Sequence, residues 1–188
     1  RSQIVITNIS RIIPYKGHLF LIELFNELSK YKNNLSLNII GDTLPEYESY
    51  FNELKQKIVQ NNLRNKINFI GYQSDVKKYL ENSHFFIHCP VSPDPLPTVI
   101  FEGIESSTPV IFTNLGGSYE ILDSGKNGLA IDHLSIKKSV ENILEFLENT
   151  FEQEKNVENA KSFVEKNFQK SSFNDSLKTL ILKIVKKT

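Results

Sequence analysis

The feature that most constrains the fold is a regular alternation of short apolar runs with amphipathic stretches. Six runs rich in Ile, Val and Phe have the length of strands, and most are continuous rather than alternating in polarity. They occupy residues 4–9, 35–40, 67–70, 85–89, 109–112 and 128–131. Continuous runs are typical of strands that are buried on both faces, as in a parallel sheet. The alternation therefore predicts an α/β fold with a Rossmann-like, doubly wound parallel sheet and right-handed crossovers.

Helical patterns fill the intervals between the predicted strands. An apolar stripe runs over 19–28, a more polar pattern covers 46–62, and a third helix is predicted after Pro97. After residue 134 only helical patterns remain, which predicts extra carboxy-terminal helices. Their apolar stripes lie at 136–147, 157–168 and 173–185. The polar stretch 149–156 is predicted to be a loose connection between two of these helices.

Length and composition exclude several classes of protein. A chain of 188 residues is long enough for one domain with a sizeable core. Lys plus Arg and Asp plus Glu are equal at 22 each, so no nucleic-acid partner is indicated. No apolar run reaches the roughly 18 residues of a membrane span. The single cysteine, Cys89, excludes an internal disulfide, and a reducing cytoplasm is the expected compartment. Because the sequence contains no Met, we expect it to begin inside a longer chain.

The loop after the first predicted strand carries two cations. Arg11 and Lys16 flank a turn that contains Pro14 and Gly17. In a doubly wound sheet, ligands bind at the carboxyl ends of the strands, and this loop follows such an end. A guanidinium fork and a lysine point charge both suit phosphate oxygens, and His18 at the helix start lies near the same place. The alternative is two solvated surface charges.

The loop after the fourth strand carries two carboxylates around a helix start. Prolines stiffen the loop, Asp94 precedes the helix, and Glu102 lies one to two turns into it within an apolar run. A carboxylate there needs hydrogen-bond donors, and ribose hydroxyls are a suitable pair. Free amides near Thr98 and Val99 suit a pyrophosphate. The alternative is that Glu102 bonds a buried backbone group and Asp94 caps the turn.

A glycine pair opens a later predicted helix. Gly116 and Gly117 allow a close approach to a ligand or a facing domain, yet they match neither the dinucleotide fingerprint nor the Walker A pattern. Glu120 lies in the first turn, where a structural capping role is favoured. His88, at the end of the fourth run, is interpreted as a structural or rim residue. No Asp-x-Asp and no His/Cys cluster with metal-ligand spacing occurs in the sequence, so no metal is expected.

The ordered set of motifs resembles the carboxy-terminal, donor-binding domain of glycosyltransferase family 4, which has the GT-B fold of two Rossmann-like lobes. The resemblance covers essentially the whole chain and is specific through the order and spacing of its motifs. One motif is the loop after the fourth strand with its two carboxylates, called the acidic loop below. The other motifs are Ser10–Gly17, Leu37–Asp42, Ile67–Tyr72, Thr108–Ile111, Gly116–Ile121 and Asn127–Leu129.

The resemblance implies a role for each matching residue. It implies that Arg11 and Lys16 hold the donor diphosphate, that Glu102 holds the ribose, and that Asp94 lies near the sugar. The loop at Tyr72 is implied to border the nucleobase. The implied donor-binding set is Arg11, Lys16, Gly17, Tyr72, Asp94, Leu96, Thr98, Val99 and Glu102. Its candidate catalytic members are Arg11, Lys16, Asp94 and Glu102.

The sequence departs from the family pattern at a few positions, and none of the departures removes a charged binding group. Asp94 replaces the usual Glu and is one methylene shorter, which leaves its sugar contact open. Ser10 and Ser107 stand where Gly is usual, Thr43 breaks a usual Gly-x-Gly, and Gly103-Ile104 replaces the usual Ala-Met.

The resemblance also implies an activity for the whole protein. It implies retaining transfer of a sugar from a nucleotide-diphosphate donor to an acceptor hydroxyl, without a metal or other cofactor, in polysaccharide or glycoconjugate synthesis. Residues 1–188 are then the nucleotide-sugar-binding domain. The saccharide or lipid-linked acceptor belongs to an amino-terminal lobe outside this sequence, and the late helices, about 152–187, are expected to pack on that lobe. The isolated chain is expected to be inactive, and the full protein to be cytoplasmic with peripheral association at the inner face of the membrane.

Three other interpretations remain open from the sequence. The first is one half of a sugar-nucleotide epimerase, which shares the diphosphate pocket. The second is a lobe that binds nucleotide without catalysis or serves as an interaction module, although retention of Arg11, Lys16, Asp94 and Glu102 argues against it. The third is an unrelated nucleotide-binding α/β domain, which the absence of a dinucleotide fingerprint disfavours.

Overall fold

A computed structural model describes residues 3–169 of the chain, and its centre is one six-stranded sheet. The strands are β1 (Ile4–Ile9), β2 (Leu35–Ile40), β3 (Ile67–Gly71), β4 (Phe85–His88), β5 (Val110–Thr113) and β6 (Leu129–Ile131). All neighbouring pairs are parallel, in the order β3-β2-β1-β4-β5-β6. The expected doubly wound parallel sheet is confirmed, and each predicted strand agrees with the observed one to within one residue at either end.

Seven helices connect or follow the strands within residues 3–169. They are α1 (His18–Tyr31), α2 (Glu48–Gln60), α3 (Lys77–Glu81), α4 (Val99–Glu105), α5 (Gly117–Ile121), α6 (Ile136–Glu148) and α7 (Thr150–Asn167). Short 3-10 turns precede α1 and α2, over Pro14–Lys16 and Pro45–Tyr47. No helix among the described residues is both long enough and apolar enough to span a membrane.

The helices bury both faces of the sheet. Neighbouring strand residues point to opposite faces, and in β4 Phe85 and Ile87 face one core while Phe86 faces the other. Helices α1, α2 and α6 cover the first face, and α3, α4, α5 and α7 cover the second. This two-sided burial explains why the strand runs in the sequence are continuously apolar.

The predicted loose connection over 149–156 is wrong. Helix α7 begins at Thr150, and the side chain of Asn149 caps it by accepting a hydrogen bond of 3.1 Å from the Glu152 amide. The polar residues that suggested a loop are a helix cap and a solvated helix face. Helix α7 packs against α4 and α6 of this domain. The stripe predicted at 173–185, and the part of the late helical segment 152–187 beyond residue 169, lie outside the described residues.

The sheet order places β1 beside β4, and their connections leave toward opposite faces. Such a switch point opens a crevice at the carboxyl ends of the two strands. The loop after β1 closes tightly on the end of β4 there, because the Val91 amide donates to the Tyr15 carbonyl at 2.9 Å. Gly17 has φ of +80°, and a Cβ on it would lie only 2.0 Å from the Cys89 carbonyl oxygen. A glycine at this position therefore allows the two loops to meet.

Gly17→Ala is expected to destabilise the fold more than Gly125→Ala. Gly125 has a nearly equal φ of +82°, but a Cβ there would meet side-chain atoms, the nearest at 3.3 Å. Both variants bear the left-handed strain of about 1–2 kcal/mol, and only Gly17→Ala adds a clash with backbone, which costs about 1–3 kcal/mol more. Urea unfolding of both variants measures the difference. Equal losses of stability would contradict the backbone clash.

Candidate functional site

The centre of the candidate site is an ion pair across the switch-point crevice. Lys16 ends the 3-10 turn after β1, and Asp94 lies in the loop after β4. The Lys16 Nζ is 2.5 Å from the Asp94 Oδ2, and the two side chains are only 14% and 12% exposed. The structure thus brings together two predicted site residues that are far apart in sequence. A pair so shielded from solvent is screened less by salt than a surface pair.

The glycine pair holds the acidic loop from the far side. The Gly117 amide donates to the Asp94 carbonyl at 2.7 Å. A Cβ at Gly116 would lie 2.4 Å from that same carbonyl oxygen, and one at Gly117 would lie 2.2 Å from the Pro95 carbonyl oxygen. The close approach predicted for these glycines is therefore made to the backbone of the acidic loop in the same domain.

His88 lies directly beneath the ion pair. It is the last residue of β4, is 1% exposed, and its Nε2 is 3.5 Å from the Asp94 Oδ2. The His88 ring and the Lys16 ammonium hold the pKa of Asp94 well below its usual range, so the carboxylate is charged at neutral pH. Burial lowers the pKa of His88. The sequence interpretation left His88 out of the site, although its position at the carboxyl end of a strand beside the switch point was a usable signal.

A second buried histidine lies at the start of α1. His18 is fully buried, and its Nε2 is 3.1 Å from the Ser10 hydroxyl. Burial lowers the pKa of His18 to about 4, and the positive charge of Lys16 acts in the same direction. His18 is thus near the predicted anion site but is neutral at pH 7, and it adds no positive charge there.

Arg11, the other predicted cation, is exposed on the same loop as Lys16. Its Nη2 donates to the Tyr15 hydroxyl at 3.3 Å, while the Lys16 Nζ lies 5.4 Å from the centroid of the Tyr15 ring. Tyr15 therefore links the two cations, a role that the sequence interpretation missed. Within residues 3–169, Arg11 forms no ion pair. Its charge is available to an anion in solvent.

Glu102 lies in the first turn of α4 and is half-buried. Burial raises the pKa of Glu102, and the neighbouring charge of Glu105 raises it further. Across residues 3–169 its carboxylate forms no hydrogen bond or ion pair, so the buried backbone partner of the alternative interpretation is not observed. A half-buried carboxylate without donors is a suitable acceptor for paired hydroxyl groups.

The remaining predicted residues lie on loops, or at the start of α4, at the same edge of the sheet. Tyr72 directly follows β3 and is 70% exposed, and Leu96 is 59% exposed. Thr98 is exposed and Val99 is half-buried where α4 begins. None of these four contacts the Lys16–Asp94 pair by a hydrogen bond. Glu120 is exposed in the first turn of α5. In the described part of the chain, no three His, Cys, Asp or Glu side chains are grouped as a metal site.

Comparison with known families identifies the chain at the level of family. A sequence model described as "Glycosyl transferases group 1" matches residues 1–163. The chain belongs to this glycosyltransferase family. Two related proteins, one described as a synthase and one as a glycosyltransferase, illustrate the similarity. The chain is 32% identical over 157 residues to a probable sucrose-phosphate synthase of Thermosipho melanesiensis, covering 81% of this chain and 36% of that protein. It is 32% identical over 123 residues to an uncharacterized glycosyltransferase of Methanocaldococcus jannaschii, covering 65% of this chain and 29% of that protein.

Several solved structures share the fold of this group 1 domain. HepE of Anabaena, solved in complex with UDP, matches with a TM-score of 0.85 and 23% identity over 97% of this chain and 49% of that one. A glycosyltransferase of Rickettsia africae matches with a TM-score of 0.84 and 24% identity, and the match covers 100% of this chain and 49% of that one. The carboxy-terminal domain of LpcC from Francisella tularensis matches with a TM-score of 0.78 and 21% identity, and the match covers 90% of this chain and 88% of that one. The chain thus spans about half or less of the longer proteins that it matches.

The buried His18 is expected to make stability depend on pH. Its folded pKa of about 4 lies below the ordinary value of 6.5, so the unfolded chain binds the extra proton more readily. The corresponding stability is complete above pH 6.5 and is lost as the pH falls toward 4, by on the order of 3 kcal/mol. Urea unfolding between pH 7.5 and about 4 covers this window, and the loss of stability should be smaller for His18→Gln than for the unmodified chain.

Ser10→Ala is the matched control, because it keeps the buried imidazole and removes only its hydroxyl partner. This control should keep the full slope of stability against pH. His88 acts in the same direction as His18, so the slope in His18→Gln is reduced and not abolished. A His18→Gln variant with the unmodified slope would show that His18 is not the group responsible.

Proposed function

We propose that residues 1–188 form the nucleotide-sugar-binding domain of a retaining glycosyltransferase of family 4. The observation that carries the proposal is the Lys16–Asp94 pair at the switch point, with Arg11 on the same loop as Lys16 and without an ion pair among residues 3–169. Membership of the group 1 family and relatives described as glycosyltransferases and synthases support transfer over the epimerase and non-catalytic alternatives. HepE, whose structures contain UDP and UDP-glucose, shares the fold and supports a nucleotide-sugar donor.

Arg11 and Lys16 are proposed to bind the donor diphosphate. The diphosphate gains negative charge as the bond to the sugar breaks, and cations fixed at that place stabilise the transition state more than the ground state. Arg11 has no competing ion pair in the described residues, and the Lys16 side chain is only 14% exposed. The amides near Thr98 and Val99 and the close turn at Gly17 are proposed to complete this part of the site. We propose that the two cations replace a metal ion in this role.

Glu102 and Tyr72 are proposed to bind the nucleoside. The Glu102 carboxylate has no protein donor among the described residues, and two ribose hydroxyls supply donors with the right spacing. Tyr72 is an exposed ring at the end of β3, which suits stacking on a flat base. The exposed Leu96 is proposed to contribute an apolar contact near the start of α4.

Asp94 is proposed to face the donor sugar. Because its pKa is held low, the carboxylate remains charged and accepts hydrogen bonds from sugar hydroxyls at neutral pH. Its side chain is one methylene shorter than the Glu usual in the family, so the sugar is expected to lie closer to the loop backbone. Gly116 and Gly117 fix that backbone from behind.

For the whole protein we propose a second, amino-terminal lobe that binds a saccharide or lipid-linked acceptor. The reaction needs the acceptor hydroxyl next to the anomeric carbon, and this domain carries the donor part of such a site. Polysaccharide or glycoconjugate synthesis in the cytoplasm, with peripheral association at the inner face of the membrane, is the proposed setting. The late segment, about 152–187, is proposed to contact that lobe, and the isolated chain is expected to bind donor without transferring sugar.

The chain is expected to bind a nucleoside diphosphate more tightly than the matching monophosphate or nucleoside. Each charge-assisted hydrogen bond to the diphosphate contributes about 1.5–3 kcal/mol, or about tenfold or more in affinity. Arg11→Ala should remove most of this preference, and added salt should weaken diphosphate binding by the unmodified chain. Calorimetric titrations of UDP, GDP and ADP with their nucleosides and monophosphates, at two salt concentrations, measure these effects.

Lys30→Ala is the control for Arg11→Ala, since Lys30 lies at the opposite end of α1 and pairs with Glu27. It should leave the affinities unchanged. Equal affinities of the unmodified chain for nucleoside, monophosphate and diphosphate would exclude the loop after β1 as a phosphate site.

Glu102→Gln is expected to weaken nucleotide binding more than Glu120→Gln. The first change weakens two hydrogen bonds from ribose hydroxyls, each worth about 1.5–3 kcal/mol when the acceptor is charged. The second removes a contact with a short helix start, worth under about 1 kcal/mol. Calorimetry with ribonucleoside and deoxyribonucleoside diphosphates, and a thermal melt of each variant, separates binding from folding. The assignment is rejected if the two folded variants bind equally well.

A further inference from the structure

The Asp94 Oδ2 has two neighbours that compete for it. The Lys16 Nζ lies 2.5 Å away and the His88 Nε2 lies 3.5 Å away. A good N–H···O hydrogen bond measures about 2.7–3.2 Å. The contact of His88 with Asp94 is therefore longer than a well-formed hydrogen bond while Lys16 holds the oxygen, and a shift of a few tenths of an ångström brings it into the usual range.

His88 is a buried polar side chain whose hydrogen bonds are incomplete. It is 1% exposed, and neither ring nitrogen has a hydrogen-bond partner in the described part of the chain. A buried polar group without a partner is costly, and such groups call for an explanation. The backbone of His88 is fixed, because the residue ends β4 and pairs with Phe112 of β5. The ring is enclosed in the protein interior, and its Nε2 lies 3.5 Å from the Asp94 Oδ2.

The proposed function requires Lys16 to leave Asp94. An ammonium that binds diphosphate oxygens loses the short contact that it makes with the Asp94 Oδ2. The carboxylate left behind has a side chain only 12% exposed, and removing one partner of a shielded ion pair leaves an uncompensated charge. Another donor must therefore replace the ammonium if Lys16 is to be released at low cost.

We propose that His88 takes over the Asp94 Oδ2 when Lys16 turns to the donor diphosphate. This inference rests on the proposed function, since it assigns a ligand to Lys16. The neutral imidazole donates its Nε2 proton, and Asp94 moves toward β4. His88 is then a positioning residue: it touches no substrate, and it keeps Asp94 in place near the sugar while Lys16 acts on the diphosphate.

The surrounding charges favour this exchange. The groups that face His88 are Lys16 on the loop after β1, His18 on α1 and Asp94 on the loop after β4. His18 is neutral, so Lys16 is the cation that disfavours positive character on the His88 ring. When Lys16 moves toward the ligand, that influence weakens and the hydrogen bond from His88 to Asp94 strengthens.

A Lys16→Ala variant mimics the released state without any ligand. Long-range ¹H–¹⁵N NMR spectra of the His88 ring should show a neutral ring with its proton on Nε2, and a downfield, exchange-protected Nε2 proton that the unmodified chain lacks. The unmodified chain should acquire the same signal on addition of UDP, GDP or ADP. Identical His88 spectra in the unmodified chain and in a folded Lys16→Ala variant would overturn the proposal.

Paired variants of His88 give the second measurement. His88→Gln keeps an N–H donor near the Nε2 position, whereas His88→Leu removes it. His88→Leu should weaken nucleoside diphosphate binding by roughly ten- to a hundredfold, and His88→Gln should restore most of the affinity. In an Asp94→Asn background, the same His88→Leu change should lower the affinity for nucleoside diphosphate by less than about twofold, because no carboxylate is left that needs the donor.

The outcomes separate this inference from the proposed function. Equal losses from His88→Leu with and without the Asp94 carboxylate would show that His88 acts only through general packing, and would overturn the inference. An unmodified chain that binds no nucleoside diphosphate would overturn the proposed function instead. In that case the Lys16→Ala spectra still test whether His88 replaces Lys16 at the Asp94 carboxylate, because the measurement needs no nucleotide.

Discussion

The close contact between the loop after β1 and the end of β4 is the constraint on which the site depends. Gly17 brings the first loop within touching distance of the Cys89 carbonyl, and the hydrogen bond from Val91 to Tyr15 fixes the two segments together. The side chains of Lys16 and Asp94 can pair because these two loop segments are in backbone contact close by. The parallel sheet supplies the frame, since a switch point between β1 and β4 is where two loops diverge from one edge and leave room for a ligand.

The electrostatics of the crevice follow from that geometry. One ammonium and one carboxylate share a shielded position above two buried histidines, and burial lowers the pKa of both rings. The site is therefore nearly balanced in charge at its base, while Arg11 provides an unbalanced cation at the rim. Under the proposed function, a dianionic ligand meets the exposed guanidinium of Arg11 first and must then compete with Asp94 for Lys16. The same ion pair would then set both the binding of the diphosphate and the cost of leaving the Asp94 carboxylate without its partner.

Local sequence patterns predicted most of the fold correctly. Strand burial on both faces leaves a continuous apolar run, so β1 and β2 were predicted residue for residue. The error at 149–156 also has a local origin. Helix caps and loops favour the same polar side chains, so Asn149 suggested a loop although it caps α7. The glycine pair was recognised as a close approach, but the surface that it approaches, the backbone at Asp94, cannot be inferred from spacing.

The sequence by itself determined the α/β class, the strand positions and the presence of two cations and two carboxylates in the loops and the helix start at one sheet edge. These properties are encoded in periodicity and in residue types near strand ends, which are local. Only the tertiary structure decided that Lys16 pairs with Asp94, that Tyr15 links Arg11 to Lys16, and that His88 lies beneath the pair. Electrostatic and hydrogen-bond energies depend on distances between atoms and on burial, and folding sets both between residues that are far apart along the chain.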